Sequence, residues 1–435
     1  MIARLQKHSG FVRMFSSAVL SQVLLSAGNF LIGLVLIRQV SDLQYGYYML
    51  FTNGLLLAVA LENAWVGPFV VNHSIRHDRT THARFLGDLY AEQRRWLLFG
   101  VGGAIALVAA ITAAGLYQSD SAAVTVFGLI AVLAVLDREY FRIALLAHQQ
   151  AERVLRADVV YVVVVLGSAA LAALTPKPVL FAITGNGIAA AVGSLLMRRQ
   201  LRAHLPWQVG RADGGAQRQF ASSGMWSLSG AGIHWLFAQS YSYLVTAVLG
   251  VAAVTALGAT RLMMMPINLL SSGIRSQMMP VTSRWLIEHG APRVLARLMA
   301  IALAMATVSL AYVGVMWLAR DWLFDVVLKK HFVNRDEMLL LWSAIFLLMV
   351  MRDQLIYLPL IRSRFRALSL STLACALASI AVSYAAMRQY GQVGALFGTL
   401  SGEVLNLIAV GALCWREVRR RTAIAPGAVD HAAVA

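Results

Sequence analysis

Residues 1–38, MIARLQKHSGFVRMFSSAVLSQVLLSAGNFLIGLVLIR, decide the class of this protein. After a basic start, positions 15–38 form an apolar run that is long enough to cross a bilayer, which takes about 20 residues. The run is too long for the apolar part of a secretory signal, and no convincing cleavage site follows it. We therefore expect a retained first membrane helix, preceded by a short amphipathic segment.

The rest of the chain repeats this pattern. Of its 435 residues, 59% are apolar and 13% are charged, which is too few charges for the surface of a soluble protein of this length. The expected fold class is an all-α polytopic membrane protein with twelve transmembrane helices. The predicted spans lie near 15–38, 45–71, 93–116, 122–147, 155–174, 178–198, 226–248, 253–274, 294–317, 337–360, 367–387 and 393–415.

The basic residues indicate the orientation of these spans. The two ends of the chain and the loops after even-numbered helices carry 29 of the 37 Lys and Arg residues, against 7 in the other loops. By the positive-inside rule, both termini are expected in the cytoplasm. The net charge of +17 is spread between apolar runs, whereas a nucleic-acid-binding protein would concentrate it on one face.

Three pairs of segments match between the two halves of the chain. LIRQVSDLQYGYYMLF (36–51) resembles LVTAVLGVAAVTALGA (244–259), LDREYF (136–141) resembles MRDQLI (351–356), and LFAITGNG (180–187) resembles LFGTLSGE (396–403). Parallel repeats of this kind predict two six-helix bundles around a central cavity, where transporters place their substrate site. The predicted domains are an N-terminal bundle at 1–198, a cytoplasmic linker at 199–222, a C-terminal bundle at 223–416 and a disordered cytoplasmic tail at 417–435.

Polar residues on the first helix of each half are candidates for lining that cavity. Gln22 and Asn29 lie on one face of helix 1, and His234 and Tyr241 share a face of helix 7. Small and polar residues also allow helices to pack closely and to form hydrogen bonds with each other, so a purely structural role stays open.

One arginine, Arg261, lies inside the apolar run VTALGATRLMMMPINLL (254–270). An arginine at the centre of a bilayer costs at least ~2.5–3.5 kcal/mol and usually faces the inside of a bundle or a wet cavity. Two roles are consistent with this position: contact with an anionic substrate, and a structural ion pair, for which Glu62 is a candidate partner.

Charged residues near the ends of the spans suggest gates. Arg138 with Glu139 and Arg352 with Asp353 occupy equivalent positions near the cytoplasmic ends of helices 4 and 10, as inner-gate ion pairs, as interface anchors or as contacts for an incoming anionic head group. Arg38 marks the outer end of helix 1. Glu62 and Glu403 stand out as carboxylates clearly within the spans, and Glu62 is the candidate for ion coupling.

The sequence lacks the motifs of a membrane enzyme. It has no phosphate-binding loop of the G-x-x-x-x-G-K-[ST] type, no H-E-x-x-H and no cluster of His and Cys. The longest outward loop, ARDWLFDVVLKKHFVNRDE (319–337), is too short for a catalytic domain. We therefore expect no catalytic residues, no metal and no cofactor.

The chain resembles the polysaccharide and oligosaccharidyl-lipid flippases of the multidrug/oligosaccharidyl-lipid/polysaccharide exporter superfamily. The resemblance rests on the aromatic turn around Gly46 in LIRQVSDLQYGYYMLF, on the twin halves, and on the segments FRIALLAHQQAERVLRADV (141–159) and RSQMMPVTSRWL (275–286). The second half departs from this pattern, because LGVAAVTALGATR (249–261) lacks the aromatic residues after the turn.

The resemblance implies a flippase that moves a polyprenyl-pyrophosphate-linked oligosaccharide to the outer leaflet of a bacterial inner membrane by alternating access. Its role would lie in exopolysaccharide or O-antigen biosynthesis. Its partners would be the anionic lipid-linked substrate, membrane lipids and polysaccharide assembly proteins, without nucleic acid. Two alternatives stay open: a cation-coupled drug or metabolite antiporter of the same superfamily, and a membrane polysaccharide polymerase or ligase.

Overall fold

The computed structural model describes residues 2–172, 174–211, 215 and 221–419, and these residues form helices and short connections without a strand. The first half contains α1 (Ile2–Gln39), α2 (Asp42–Arg76), α3 (Arg79–Ala113), α4 (Ser119–Ala147), α5 (Ala151–Ala172), α6 (Pro178–His204) and α7 (Ala221–Leu249). The second half contains α8 (Ala253–Leu318), α9 (Arg320–Trp322), a π-helical segment (Leu323–Leu328), α10 (Arg335–Leu355), α11 (Tyr357–Ile361), α12 (Phe365–Tyr390) and α13 (Gln392–Arg419).

Ten helical stretches among the described residues are long and apolar enough to cross a membrane. Large apolar side chains are exposed along them; Trp96, for example, is 68% exposed and Phe99 66%. A surface of this kind suits lipid and would be a liability in water. The predicted fold class, an all-α polytopic membrane protein, is confirmed. The predicted spans 226–248 and 253–274 are also helical, but they are not among these ten.

Two differences between the predicted and the observed helix boundaries have a clear structural cause. Helix α3 begins at Arg79, well before the predicted residue 93, because Phe85, Leu86 and Leu89 pack one face of its basic first turns into the core. The stretch Ala253–Leu318 consists of two helices that meet at a kink at Gly290, with φ 78 and ψ 168, so the predicted break between residues 274 and 294 is present but is confined to this position. Positive φ is a conformation that glycine adopts without a steric penalty.

The chain divides into two compact units. Unit 1 comprises Met1–Met265 and Arg320–Arg335. Within it, α4 packs on α2, α3 and α6, α5 packs on α1 and α6, and α7 packs on α2. One apolar cluster lies where α2 ends and α3 begins, and includes Phe69, Leu86, Phe141 and Trp207.

Unit 2 comprises Pro266–Ala319 and Asp336–Ala435. Its helices α12 and α13 form a closely packed pair, and α11 contacts both of them. Its core cluster joins residues of α8, such as Leu298, to Tyr357, Leu368 and Val410. The predicted domain boundary at residues 199–222 stays a prediction. The two compact units divide the chain at other positions.

The beginning of the predicted linker packs against unit 1. Helix α6 continues to His204, and residues 205–211 follow without regular secondary structure. Trp207 is 2% exposed and lies beneath the guanidinium groups of Arg198 and Arg202, at 5.4 and 5.5 Å from its ring. The Arg211 backbone amide donates a 2.8 Å hydrogen bond to Asp88 Oδ1. The rest of the predicted linker, apart from residues 215, 221 and 222, lies outside the described residues, as do residues 420–435 of the predicted tail.

The turn between α1 and α2 is a meeting point of distant segments. Ser41 caps α2 by accepting a hydrogen bond from the Gln44 amide, as N-cap serines commonly do. Gly46 lies so close to Val251 that an added Cβ would be 2.3 Å from the Val251 carbonyl oxygen. Lys330 Nζ lies 2.6 Å from Asp42 Oδ1 and donates to the Val40 carbonyl at 3.0 Å. Segments about 200 and 290 residues further along the chain therefore pack on this turn.

Candidate functional site

The predicted arginine Arg261 lies in unit 1, on the first turns of α8. Its Nη1 donates hydrogen bonds to Gln239 Oε1 at 2.7 Å and to the Tyr241 hydroxyl at 3.1 Å. Its guanidinium lies 5.7 Å from the centre of the Tyr241 ring, within reach of a cation–π interaction. Both of these hydrogen-bond partners are neutral, and they orient the guanidinium. Arg261 itself is half-buried.

Helix α7 carries Gln239 and Tyr241, and polar contacts hold it against α2. Asn53 Nδ2 donates to Ser242 Oγ at 2.9 Å, and Trp235 Nε1 donates to the Asn53 carbonyl at 2.9 Å. Hydrogen bonds between helices fix their register where lipid provides no hydrophobic driving force. The structure therefore brings Tyr241 and Arg261 together, as parts of one site.

Three other predicted lining residues are exposed. Gln22 and Asn29 lie on α1, within the membrane-length stretch Ser16–Gln39, and His234 lies on α7. An amide in hydrocarbon without a hydrogen-bond partner costs several kcal/mol, so exposed amides in a span favour contact with water over contact with lipid tails. This placement agrees with a hydrated face on α1.

The predicted gate residue Arg138 is 4% exposed and points into the interior of unit 1. It forms an ion pair with Asp158 on α5, and it lies 4.0 Å from the centre of the Tyr161 ring. Asp158 also accepts a hydrogen bond from Ser21 on α1. Arg138 thereby ties α4 to two other helices of the same unit.

The neighbour of Arg138, Glu139, has different partners. It accepts hydrogen bonds from Arg142 Nη1 at 3.3 Å and from Asn63 Nδ2 at 3.0 Å. Arg142 Nε also lies 3.6 Å from Asp158 Oδ2, so Arg138 and Glu139 belong to one buried network that reaches α5 and α2.

The equivalent arginine of unit 2, Arg352, is also buried. Its Nη2 lies 2.8 Å from Asp353 Oδ1, and its Nη1 lies 2.7 Å from Glu403 Oε2 on α13. The predicted pair of Arg352 with Asp353 is present, and Glu403 completes a three-residue network. Arg138 and Arg352 thus occupy matching places in the sequence repeat, and each binds a carboxylate on another helix of its own unit.

The remaining two predicted residues lie apart from Arg261. Glu62 is buried in unit 1, and its carboxylate accepts a hydrogen bond from Gln93 on α3. The structure therefore pairs Glu62 with Gln93 and not with Arg261. Arg38 is exposed near the end of α1.

Sequence reasoning missed Asp158 and Gln239. The view that Glu62 and Glu403 are the carboxylates within the spans is corrected, because Asp158 lies inside α5 and is completely buried. A signal for it existed, since it precedes the apolar run VVYVVVVL, just as Arg261 interrupts an apolar run. Gln239 had no comparable signal, because a neutral amide among the serines and tyrosines of α7 does not stand out as a charge does.

The chain is similar in fold to several solved membrane transporters. An inward-facing multidrug resistance MATE family transporter of the MOP superfamily aligns with a TM-score of 0.67 and 15% identity, over 91% of this chain and 94% of that one. An outward-facing one aligns with a TM-score of 0.66 and 13% identity, over 96% and 97% of the two chains. The lipid II flippase MurJ, in an inward closed conformation, aligns with a TM-score of 0.67 and 10% identity, over 94% and 87%.

No family model and no curated protein matches the sequence. At these low identities the solved structures establish the fold, which this chain shares with MATE transporters and with a lipid II flippase.

Proposed function

We propose that this protein is a flippase that moves a polyprenyl-pyrophosphate-linked oligosaccharide from the cytoplasmic to the outer leaflet by alternating access. The observation that carries the proposal is the half-buried Arg261, held within a membrane helix by the neutral Gln239 and Tyr241. A guanidinium oriented in this way retains its positive charge and binds phosphate oxygens in a bidentate manner. The fold of a lipid II flippase supports a lipid-linked passenger.

The physical task explains why such a cation is useful. The sugar and pyrophosphate would lose hydrogen bonds to water in hydrocarbon, at several kcal/mol for each polar group and far more for the charges. A hydrated face with Gln22 and Asn29 on α1 would replace those hydrogen bonds, while Arg261 would bind the pyrophosphate. An inside-negative potential favours outward movement of an anion by about 2.3 kcal/mol per charge per 100 mV. The prenyl tail can stay in lipid throughout.

The buried arginines have a different role in this proposal. Because Arg138 and Arg352 are engaged by Asp158 and Glu403, we assign them to holding each unit rigid during the transport cycle. Arg38 is exposed at the end of α1 and is the better candidate for a contact with the head group as it leaves the protein.

The experiment that tests the proposal measures translocation of a labelled prenyl-pyrophosphate sugar by purified protein in liposomes. Loss of a hydrogen bond to a charged group is worth about 1.5–3 kcal/mol, so Arg261→Ala should slow translocation by about 10- to 150-fold. Arg261→Lys retains the charge and should lose less. The matched control is Arg388→Ala, which removes an exposed arginine on α12 that contacts Tyr384. Wild-type translocation by a folded Arg261→Ala protein contradicts the proposal.

A second candidate function is a cation-coupled drug or metabolite antiporter. Glu62 favours it, because a buried carboxyl group whose described partner is the neutral Gln93 is suited to taking up and releasing a proton. Uptake of a cationic dye that is abolished by Glu62→Gln and insensitive to Arg261→Ala would favour the antiporter. The reverse sensitivity would favour the flippase. A polysaccharide polymerase or ligase would instead show sugar transfer by the purified protein.

The same proposal includes a location in a bacterial inner membrane. Both termini would lie in the cytoplasm, because the basic residues are concentrated at the termini and in the loops on that side. It needs no cofactor. Its expected partners are the lipid-linked substrate, membrane lipids and proteins of a surface polysaccharide assembly system.

A further inference from the structure

Half of the histidines in the chain converge at one end of unit 1, outside the site described above. Five of the ten histidines of the sequence take part. Three of them lie close together in the chain, at the end of α2 and the beginning of α3, and the other two come from distant segments, the turn after α4 and the end of α6. The members of this histidine cluster are His73, His77, His82, His148 and His204.

The first three imidazoles are in direct contact. The rings of His73 and His77 stack with centres 3.9 Å apart and an interplanar angle of 13°. His73 Nδ1 and His82 Nδ1 lie 3.0 Å apart, in a hydrogen bond that needs one nitrogen to donate and the other to accept. Phe85 stacks on the other side of His73, at 4.0 Å. This arrangement accommodates one shared proton between His73 and His82, and a further proton on the accepting nitrogen would break their hydrogen bond.

The cluster continues through His148 to His204. The ring centres of His82 and His148 are 4.9 Å apart, and those of His148 and His204 are 5.8 Å apart. His82 is 1% exposed, and both His82 Nε2 and His148 Nε2 are buried without a hydrogen-bond partner. Each of these ring nitrogens is enclosed by protein.

The charged groups around the cluster are cationic. The positive charge of Arg79, at the beginning of α3, repels a proton on His148 or His204. The positive charge of Arg153, on α5, repels a proton on His204. Arg79 Nη2 also donates to the His204 carbonyl at 2.8 Å. The nearest acidic residue along the chain, Asp78, is exposed and is engaged in capping α3. Protonated imidazoles would therefore meet positive charge from the neighbouring elements.

The pKa values of the two histidines outside the spans follow from this environment. Burial lowers the pKa of His73, and the proximity of His77 lowers it further. Burial also lowers the pKa of His148, and His204 and Arg79 add to that effect. Both side chains are therefore neutral at pH 7.

A metal ion and a phosphate-sized anion fit this cluster less well than a proton does. A metal ion would need further ligands, and the described residues contain no group of three His, Cys, Asp or Glu side chains suitable for one. A phosphate-sized anion would need access from solvent, and the unpartnered nitrogens of His82 and His148 are enclosed. A proton is small enough to reach them.

We propose that the histidine cluster is an acid-sensitive clamp, which holds the ends of α2, α3, α4 and α6 together while neutral and releases them when it takes up protons. Two protonated rings stacked like His73 and His77 repel each other, and full protonation of His73 and His82 removes their hydrogen bond. The neutral form is favoured in the folded state, so its stabilising effect is complete above the unfolded-state pKa of 6.5 and is lost as pH falls below it. The proposal concerns the protein alone and is independent of the substrate.

The test is hydrogen–deuterium exchange of the purified protein at pH 7.5 and pH 5.5, with each rate corrected for the intrinsic effect of pH. We expect backbone exchange in residues 70–90 and 144–154 to rise at least fivefold at pH 5.5. His77→Asn, at an exposed position, should reduce that rise by removing one of the stacked charges. His82→Gln should reduce it further.

His331→Asn is the control, because His331 is exposed between the π-helical segment and α10, and its Nδ1 lies 3.4 Å from Asp325 Oδ1. This variant should keep the full response to pH. If His82→Gln does not fold, His77→Asn and His148→Gln still test the clamp. Equal protection of these segments at both pH values in the wild type overturns the proposal, as does an unchanged response in His77→Asn and His148→Gln.

Discussion

Removing the carboxylate of Asp158 should destabilise unit 1 strongly, although the residue lies away from the proposed substrate site. Asp158 is completely buried, its partner Arg138 is 4% exposed, and Arg142 Nε lies 3.6 Å from its second oxygen. Truncating one member of a buried ion pair leaves the other charge without compensation, which costs about 3–5 kcal/mol. Asp158→Ala also removes the acceptor of the Ser21 hydroxyl. We therefore expect its cost at the upper end of that range.

The double variant Arg138→Met/Asp158→Leu distinguishes the effect of leaving one buried charge unpaired from the effect of removing both charges. Replacing a buried ion pair with apolar side chains of similar volume is often neutral or stabilising, because the cost of removing both charges from water disappears. The double variant should therefore be more stable than Asp158→Ala. A double-mutant cycle made of Arg138→Met, Asp158→Leu and the double variant should report a coupling energy of about 2–3 kcal/mol.

The assay is equilibrium unfolding in mixed micelles with an increasing fraction of denaturing detergent. The matched control is Asp120→Ala, which breaks the ion pair of Asp120 with Lys177 in the same unit, where both side chains are mostly exposed. Exposed pairs contribute about 0–1 kcal/mol, so this variant should be close to the wild type. The reasoning is refuted if Asp158→Ala costs no more than Asp120→Ala, or if the double variant is less stable than either single variant.

Two further predictions concern the turn between α1 and α2. Gly46→Ala should destabilise the protein by about 1–3 kcal/mol in the same unfolding assay, because its Cβ would lie 2.3 Å from the Val251 carbonyl oxygen, whereas Gly67→Ala, with open space around it, should not. Lys330→Met should remove the contacts to Asp42 and to the Val40 carbonyl, and limited proteolysis should then cut residues 320–335 faster than in the wild type. An unchanged cleavage rate would mean that this lysine does not fasten the segment.

Sequence reasoning found the residues whose chemistry conflicts with their immediate surroundings. Arg261 could be identified because a permanent charge interrupts an apolar run, and the structure places it beside the predicted Tyr241. The matched arginines Arg138 and Arg352 were found through the repeat. Their partners Asp158 and Glu403 were not assigned, because each lies on another helix and nothing local connects the two.

The histidine cluster had no counterpart in the sequence analysis. His73 and His204 are separated by most of the N-terminal half, and each is unremarkable where it stands in the chain. Their proximity arises because the ends of α2, α4 and α6 and the beginning of α3 meet in the folded unit. The early start of α3 was missed for a related reason, since its basic first turns resemble a loop until their apolar face is buried.

The sequence by itself determined that this is a helical membrane protein, because whether about 20 consecutive residues favour lipid is a local sum over those residues. It also determined where single charges interrupt that preference. Only the tertiary structure decided which partner each buried charge has, since the free energy of a buried ion depends on atoms a few ångströms away in space and not on neighbours along the chain. For that reason Arg138 proved to be paired with Asp158 inside its unit, while Arg261 donates hydrogen bonds to the neutral side chains of Gln239 and Tyr241.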